Sequence, residues 1–246
     1  MELSKRVQNV SPSATLALSA KAKQLKADGY DVKNLTAGEP NFNTPEHIKE
    51  AAIQAIRAGK SDFYTAALGI VELRKAIAKA TNAEYHTDYT FENVAVTVGG
   101  KFSLYAVAQT ILDPGDEVLI PLPYWVSYSE QVKLAEGKPV FVLPETGKLK
   151  VTVADLEAKR TEKTRAVIIN SPQNPSGVIY TRAELEAIGN WAVKNNIWLI
   201  ADDMYNKLVY NGNSFVSLVE LSEAIKQQTI LINGFSKTYS MTGWRV

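Results

Sequence analysis

The sequence predicts an α/β fold, with a mostly parallel sheet sandwiched by helices. From residue 94 onward, short apolar runs alternate with amphipathic segments, and the runs are apolar nearly throughout. Strands of that kind are buried on both faces, and parallel neighbours need a crossover helix between them. The runs lie at residues 94–98, 117–121, 139–143, 165–170, 197–202 and 229–233. The intervening helices are expected at residues 101–112, 124–136, 152–160 and 181–195. This alternation is typical of a sheet covered by helices on both sides.

The residues ahead of the predicted sheet indicate helices joined by loops. Helix-forming residues with apolar positions three and four apart predict a surface helix over residues 14–27. A short strand is expected at residues 32–35. Thr44, Pro45 and Glu46 are typical of a helix start: a capping hydroxyl, a proline ring in the first turn and an acid near the positive helix end. This helix is expected to run to about residue 58. A further helix is expected over residues 69–82.

Composition excludes several classes of site. The formal net charge of +1, from 27 basic and 26 acidic residues, gives no field that would attract a nucleic acid. The chain has no cysteine, which excludes disulfides and thiolate metal sites. The two histidines, His47 and His86, are far apart, which argues against a histidine metal cluster and a serine–histidine triad. We therefore expect no metal, and a hydrophobic content of 46% indicates a sizeable core.

The same reasoning gives an expected location. No apolar run approaches the roughly 18 residues that a membrane-spanning helix needs, and the start MELSKRVQNV has no hydrophobic signal core. A cytoplasmic protein with no membrane partner is expected.

The ends of the predicted strands carry the chemistry, because ligands of open parallel sheets bind beyond the carboxyl ends of the strands. After residues 94–98 come Gly99, Gly100 and Lys101, directly before a helix. Bare backbone N–H groups at the positive end of a helix bind anions such as phosphate. An ordinary tight turn is the alternative explanation.

Three more strand ends carry polar residues. Asn174 lies between two prolines, Asp202 ends an apolar run, and Lys237 follows the last run beside Ser236, with Arg245 close behind in the sequence. Each has a plain alternative: a proline-rich turn, a loop cap and a solvated lysine. Together they supply a phosphate site, a hydrogen-bonding amide, a carboxylate for a ring nitrogen and an amine for a carbonyl. That is the set of groups that pyridoxal phosphate requires.

With these residues in view, the chain resembles the class I aspartate aminotransferases, fold type I pyridoxal-phosphate enzymes, and most of all their bacterial and thermophile branch. The matching stretches are PSAT (12–15), TAGEPNF (36–42), Gly69-Ile70 with Glu72-Leu73-Arg74, VTVGGK (96–101), DPGDEV (113–118), PYWVSY (123–128), NSPQNPSG (170–177), ADDMY (201–205) and SKTYSMTGWR (236–245). They span nearly the whole chain in the family's order.

The resemblance implies pyridoxal 5′-phosphate as cofactor and Lys237, Asp202 and Tyr205 as catalytic residues. Lys237 would condense with the cofactor and later move a proton between the substrate and the cofactor. Asp202 would keep the ring nitrogen protonated, while Asn174 and Tyr205 would bind the ring's phenolic oxygen. Trp125 would stack on the ring, with core filling as its alternative. The remaining cofactor contacts would come from Gly99, Gly100, Lys101, Ser236 and Arg245 on the phosphate, and from Tyr64 of a neighbouring subunit.

The resemblance also implies a homodimer and a substrate class. The Gly38 backbone would meet the α-carboxylate of the substrate, and Trp125 and Asn174 would also contact the substrate. Ser13, Thr15 and Lys101 lie where this branch reads a side-chain carboxylate, which favours aspartate or glutamate with 2-oxo acids in a ping-pong reaction. The alternatives are an aromatic amino acid or prephenate aminotransferase, a lyase of the same fold, a non-enzymatic regulator that binds pyridoxal phosphate, and a truncated protein with a structural role.

The family pattern also divides the chain. Residues 1–40 match an N-terminal arm and helix that belong to the family's small domain, and residues 41–246 match its large cofactor-binding domain, truncated at its C-terminal end. Because the small domain and a substrate-binding arginine follow in the family, we expect a fragment ending at Val246 to have little or no transaminase activity alone.

Overall fold

A five-stranded sheet forms the centre of the structure. The computed structural model describes residues 2–33, 35 and 38–246. All strand pairs among these residues are parallel, in the order β2-β1-β3-β4-β5. The strands are β1 (Glu117–Pro121), β2 (Lys138–Val142), β3 (Thr164–Asn170), β4 (Trp198–Asp202) and β5 (Thr229–Ile232). The predicted α/β class with a parallel sheet is confirmed.

Ten α-helices precede, connect and follow the strands of the described chain. They are α1 (Lys5–Gln8), α2 (Ala14–Ala27), α3 (Glu46–Arg57), α4 (Val71–Tyr85), α5 (Gly100–Ile111), α6 (Ser127–Leu134), α7 (Val153–Glu157), α8 (Arg182–Lys194), α9 (Glu223–Gln227) and α10 (Phe235–Thr238). Short 3₁₀ helices occupy Phe91–Asn93 and Leu218–Glu220. The structure confirms the predicted helices to within a few residues at their ends. None of these helices, in the part of the chain described, combines the length and the apolar character that crossing a membrane requires.

Helices cover both faces of the sheet, as the uniformly apolar strands require. Alternate strand residues face opposite sides. Leu199 and Ala201 of β4 pack with α8 residues, whereas Ile200 packs with Leu104 of α5 and Val132 of α6. The same alternation directs the last residue of β4 toward α5 and α6.

The register brings three strand ends side by side. Asn170 pairs with Asp202 across β3 and β4, and Asp202 pairs with Ile232 across β4 and β5. Polar residues that end separate apolar runs in the sequence are therefore neighbours at one edge of the sheet.

One predicted strand, at residues 94–98, is wrong. The segment lies in no ladder of the described sheet, although Val94 has an extended backbone. Its bonds go elsewhere: the Val96 N–H donates to the Leu68 carbonyl at 3.0 Å, and Arg74 Nε donates to the Val94 carbonyl at 2.8 Å. Apolar residues predict an extended chain, but a strand also needs a partner.

The start of α3 also differs from the prediction. Pro45 is the N-cap residue, with no side-chain cap bond. Thr44 Oγ1 instead donates to the Ser240 carbonyl at 2.6 Å and accepts from Trp244 Nε1 at 3.1 Å. A long-range contact therefore takes the hydroxyl that was expected to cap the helix. The strand expected at residues 32–35 includes Asn34, which lies outside the described residues, and its described neighbours form no strand.

Candidate functional site

Asp202 lies at the carboxyl end of β4 and is 5% exposed. Its Oδ2 accepts a short hydrogen bond from the hydroxyl of Tyr128, and its Oδ1 accepts from the Met204 N–H at 3.3 Å. Burial raises the pKa of Asp202, while these two hydrogen bonds act in the opposite direction. The groups that set the pKa of Asp202 thus include two hydrogen-bond donors but no cation. A cationic partner would favour the ionised carboxylate.

An amide network surrounds the backbone of Asp202. Asn170 Nδ2 donates to the Asp202 carbonyl at 2.8 Å, and Asn170 Oδ1 accepts from the Asn174 N–H at 2.7 Å. Asn174 Nδ2 donates to the Tyr205 hydroxyl at 3.0 Å. Burial, followed by the negative charge of Asp202, raises the pKa of Tyr205. The loops after β3 and β4 thus present an amide and a phenol together.

The glycine pair stands at the start of α5. Gly99 is its N-cap residue, with φ +81°, and Gly100 is buried in the first turn. A Cβ at Gly99 would collide with the guanidinium of Arg245. The missing side chain therefore leaves space in which Arg245 reaches the positive end of a 12-residue helix, which is an arrangement suited to an anion.

Met204 connects this helix end to the neighbouring loops. Its Cε lies so close to Gly100 that a Cβ there would come within 2.5 Å, and a Cβ at Gly234 would lie 3.1 Å from the same atom. The turn after β4, the start of α5 and the turn after β5 therefore meet around one methionine side chain.

Lys237 is half-buried in α10, the short helix that follows β5. Its Nζ donates a short hydrogen bond to the Gly38 carbonyl. Burial lowers the pKa of Lys237; Arg245 acts in the same direction, and Glu39 opposes it. A lysine with a lowered pKa is more often a free amine, the form that attacks a carbonyl. Thr36 and Ala37, the two residues that directly precede Gly38 in the TAGEPNF motif, lie outside the described residues.

Trp125 links an exposed cation to the buried carboxylate. Lys101 Nζ lies 5.0 Å from the centroid of the Trp125 ring, and Trp125 meets Tyr128 edge-on with ring centroids 5.4 Å apart. Since Tyr128 bonds to Asp202, these contacts run without a break from the surface to the end of β4.

Three predicted site residues lie apart from this cluster. The Tyr64 side chain is fully exposed. Ser13 caps α2 through Oγ, which accepts from the Leu16 N–H at 3.4 Å, and Thr15 is an exposed residue of the same helix. Ser236, by contrast, is buried next to Lys237.

Sequence reasoning gave no role to Tyr128, Asn170 or Met204. Tyr128 follows Trp125 by three residues, the spacing at which two side chains share a helix face. Asn170 ends its strand just as Asp202 ends the next one along the sheet. Both signals could have been used, whereas the place of Met204 between two glycines depends on the packing of three loops.

The comparison with known families decides the family. The family described as "Aminotransferase class I and II" matches residues 30–246. The chain belongs to the class I and II aminotransferase family. Members of this family depend on pyridoxal phosphate.

Individual relatives are similar to the chain along its whole length. It is 51% identical over 246 residues to an asparagine–oxo-acid transaminase of Streptococcus mutans, and 49% identical over 247 residues to an aspartate aminotransferase of Bacillus subtilis. Each match covers 100% of this chain and 63% of the relative. The chain therefore spans a little under two thirds of the length of these relatives.

Solved structures agree with this assignment. The aspartate aminotransferase of Thermus thermophilus with maleate superimposes with a TM-score of 0.93 at 42% identity, covering 100% of this chain and 63% of that one. The aspartate aminotransferase of Rhizobium meliloti gives a TM-score of 0.95 at 41% identity, covering 100% of this chain and 62% of that one.

Proposed function

We propose that the whole protein is a pyridoxal-phosphate-dependent transaminase that exchanges amino and keto groups between aspartate or glutamate and 2-oxo acids. The single observation that carries this proposal is the meeting of three loops at one sheet edge. There the start of α5 with Arg245 beside it, a buried carboxylate and a lysine of lowered pKa come together. These groups match the functional groups of the cofactor.

The phosphate end of the proposed site consists of Gly99, Gly100, Lys101, Ser236 and Arg245. The missing side chain at Gly99 supports this assignment, because it lets the Arg245 guanidinium lie against the start of α5, where an anion would meet the guanidinium and the backbone N–H groups together. Arg245 donates through Nη1 to the Thr242 carbonyl at 2.9 Å, which holds its position.

Asp202 is proposed to bind the protonated ring nitrogen. When bound, the cofactor supplies a ring that accepts electrons from the carbon that loses a proton. Asp202 is buried, and no cation is among the groups that set its pKa. A protonated ring nitrogen would supply the positive partner that a buried carboxylate needs in order to stay ionised. Tyr128 would fix the carboxylate by its hydrogen bond. Asn174 and Tyr205 are proposed to bind the phenolic oxygen, and Trp125 to cover the ring.

Lys237 is proposed to attach the cofactor and to transfer the substrate proton. The group that holds and moves the proton is Nζ, and burial of Lys237 favours the uncharged amine that can accept it. The hydrogen bond from Lys237 Nζ to the Gly38 carbonyl holds the 38–44 loop beside Lys237. This position supports a contact between the Gly38 backbone and the substrate's carboxylate.

The preferred amino donor is proposed to be aspartate, with asparagine as the second candidate. Aspartate is the substrate named for the Bacillus subtilis and Thermus thermophilus relatives, whereas the Streptococcus mutans relative is named for asparagine. Lys101 is an exposed cation beside Trp125, and a cation is the partner that a side-chain carboxylate needs. Ser13 and Thr15 are proposed to complete that subsite.

A homodimer is proposed on the basis of Tyr64. Its side chain is fully exposed and lies apart from the cluster of its own chain, so it is free to reach the phosphate of a neighbouring subunit. We also propose a cytoplasmic location, which the absence of cysteine favours, and a division into an arm of residues 1–40 and a cofactor-binding domain of residues 41–246.

The proposal is tested by adding pyridoxal phosphate to the protein and to two variants, Lys237→Ala and Lys159→Ala. Lys159 is exposed and lies between α7 and the amino end of β3, so it is the matched control. We expect the absorption band of lysine-bound cofactor in the protein and in Lys159→Ala, but not in Lys237→Ala. An unchanged band in Lys237→Ala would reject the role of this lysine. Release of keto acids by the whole protein from aspartate, asparagine, glutamate, phenylalanine and prephenate-derived donors would then identify the substrate.

A further inference from the structure

Asp203 is a second buried carboxyl group, directly after Asp202. It is 3% exposed, and its Oδ2 accepts a 2.6 Å hydrogen bond from Ser217, which is 1% exposed. Successive residues of an extended chain face opposite sides. Asp202 accordingly bonds to Tyr128 on one face of the sheet, while Asp203 bonds to Ser217 on the other. The proposed function uses Asp202 and leaves Asp203 without a role.

The turn that carries both carboxyl groups is tied to the scaffold through Asp203 and Asn206. The Asp203 N–H donates to the Ile232 carbonyl of β5 at 2.9 Å, and its carbonyl accepts from the Asn206 N–H at 3.0 Å. Asn206 Nδ2 donates to the Tyr85 hydroxyl at 2.7 Å and to Glu84 Oε1 at 2.9 Å. The end of α4 and the end of β5 therefore hold the side of the turn that faces away from the cluster.

The surroundings of Asp203 disfavour its ionised form. Burial raises the pKa of Asp203 to about 8, and the negative charges of Asp202, Glu84 and Glu220 act in the same direction. The hydrogen bond from Ser217 opposes them. At neutral pH the carboxyl group is therefore mostly protonated.

The cations next to Glu84 and Glu220 are paired with these two acids and not with Asp203. Lys207 Nζ bonds to Glu84 at 2.6 Å, and Arg182 Nη2 bonds to Glu220 at 3.0 Å. The phenol of Tyr85 also has a raised pKa, mainly through burial, so it stays neutral. Ionised Asp203 would thus add a further negative charge to a buried region.

Asn206 shows where a proton donor is needed. Its Oδ1 is the one buried side-chain oxygen or nitrogen in the described part of the chain that lacks a hydrogen-bond partner. A buried acceptor without a partner destabilises the folded state. A protonated carboxyl group is a hydrogen-bond donor, and Asp203 lies three residues before Asn206 in the same turn.

We propose that neutral Asp203 is a positioning residue: with Ser217, Asn206 and Tyr85 it fixes the turn that presents Asp202 and Tyr205, and this turn loosens when Asp203 ionises. The link to the cofactor rests on the function proposed above, whereas the order of the turn does not. The two are therefore tested separately.

The sign of the pH effect follows from the proton balance. The folded protein keeps the Asp203 proton up to a pH of about 8, whereas the unfolded chain releases it near the ordinary value of 3.8. The folded state binds more protons between these values, so Asp203 makes the protein less stable as the pH rises through this window, and the loss levels off above it. Asp203→Asn removes this dependence because its side chain stays neutral.

The test compares the protein with Asp203→Asn, Asp203→Ala and the control Glu162→Gln, an exposed acid outside the turn. Without cofactor, urea unfolding and amide hydrogen exchange at Met204, Asn206 and Leu208 are measured at pH 6 and pH 9. We expect the protection factors of these amides to fall at least about tenfold from pH 6 to pH 9 in the protein and in Glu162→Gln. They should stay constant in Asp203→Asn and be low at both pH values in Asp203→Ala.

The second measurement is the dissociation constant of pyridoxal phosphate. We expect Asp203→Asn to bind as the protein does at pH 6 and more tightly than the protein at pH 9, and Asp203→Ala to bind at least about tenfold more weakly. Equal pH dependence of protection in the protein and Asp203→Asn would overturn the proposal, as would normal turn protection in Asp203→Ala. Failure of the protein itself to bind pyridoxal phosphate would reject the proposed function, while the exchange data would still decide the role of Asp203.

Discussion

The predicted site residues fall into two regions that differ in how they are held. The strand-end cluster, made of Asp202, Asn174, Tyr205, Gly99 and Arg245, is connected by hydrogen bonds and close packing within one chain. The outlying residues, Ser13, Thr15 and Tyr64, are exposed or half-buried and form no hydrogen bond with the cluster in the described part of the chain. One chain therefore builds the groups proposed for the ring and the phosphate, whereas the groups proposed for substrate selection and for subunit sharing need further contacts.

The largest effect within the cluster is expected from Asp202→Asn. Removing one partner of a buried charge pair costs about 2–5 kcal/mol, so the affinity for pyridoxal phosphate should fall at least tenfold. A titration followed by absorption measures it, with the exposed Asp31→Asn as control. Unchanged affinity in Asp202→Asn would separate this carboxylate from the cofactor.

Gly99→Ala comes next, because it adds a side chain where Arg245 lies and where φ is +81°. Strained glycine positions of this kind cost about 1 kcal/mol or more when replaced. Gly212→Ala is the matched control, since φ there is +72° but no atom lies near the added Cβ. Both variants should lose stability in urea, but only Gly99→Ala should bind pyridoxal phosphate more weakly. Equal affinities would contradict an anion site at the start of α5.

Tyr128→Phe should have a smaller effect that depends on pH. Loss of the Tyr128 hydroxyl removes a hydrogen bond that lowers the pKa of Asp202, while the Met204 N–H still bonds to the carboxylate. Asp202 must be ionised to pair with a protonated ring, so the loss of cofactor binding on the acid side should move to higher pH. Tyr124→Phe, whose hydroxyl lies 3.3 Å from Ser129 Oγ, is the control in the same segment. An unmoved acid limb in Tyr128→Phe would show that its hydroxyl does not tune Asp202.

The smallest effect on the isolated chain is expected from Tyr64→Phe. A fully exposed hydroxyl contributes little to folding, so urea unfolding should match that of the protein. Cofactor affinity should weaken only at protein concentrations at which chains assemble, with the exposed Tyr210→Phe as control. A weaker affinity at concentrations where the chain is monomeric would place Tyr64 in its own subunit's site.

The sequence was sufficient for the sheet and for much of the cluster. Uniform apolar runs gave β1, β3 and β4 nearly to the residue, and the helix expected over residues 181–195 is α8. Polar residues at strand ends are close in space because parallel strands share one carboxyl edge. Local patterns carry this information, so no tertiary contact had to be known.

The remaining features depend on contacts between distant segments. Residues 94–98 have the composition of a strand but no partner in the described sheet, and Thr44 bonds to Ser240 instead of capping a helix. The contacts of Met204 with two glycines and of Asn206 with Tyr85 also join loops that are far apart in the sequence. No periodicity or motif reports such pairings.

Covalent labelling shows whether Lys237 is the amine that receives the cofactor. The protein is mixed with a slight excess of pyridoxal phosphate at pH 7.5, reduced with borohydride and digested, and the lysines that carry the label are identified by mass spectrometry. Because burial lowers the pKa of Lys237, this lysine should react ahead of the exposed lysines, and the label should lie on its peptide. A label spread over the surface lysines, with Lys237 unmodified, would show that Lys237 is not this amine.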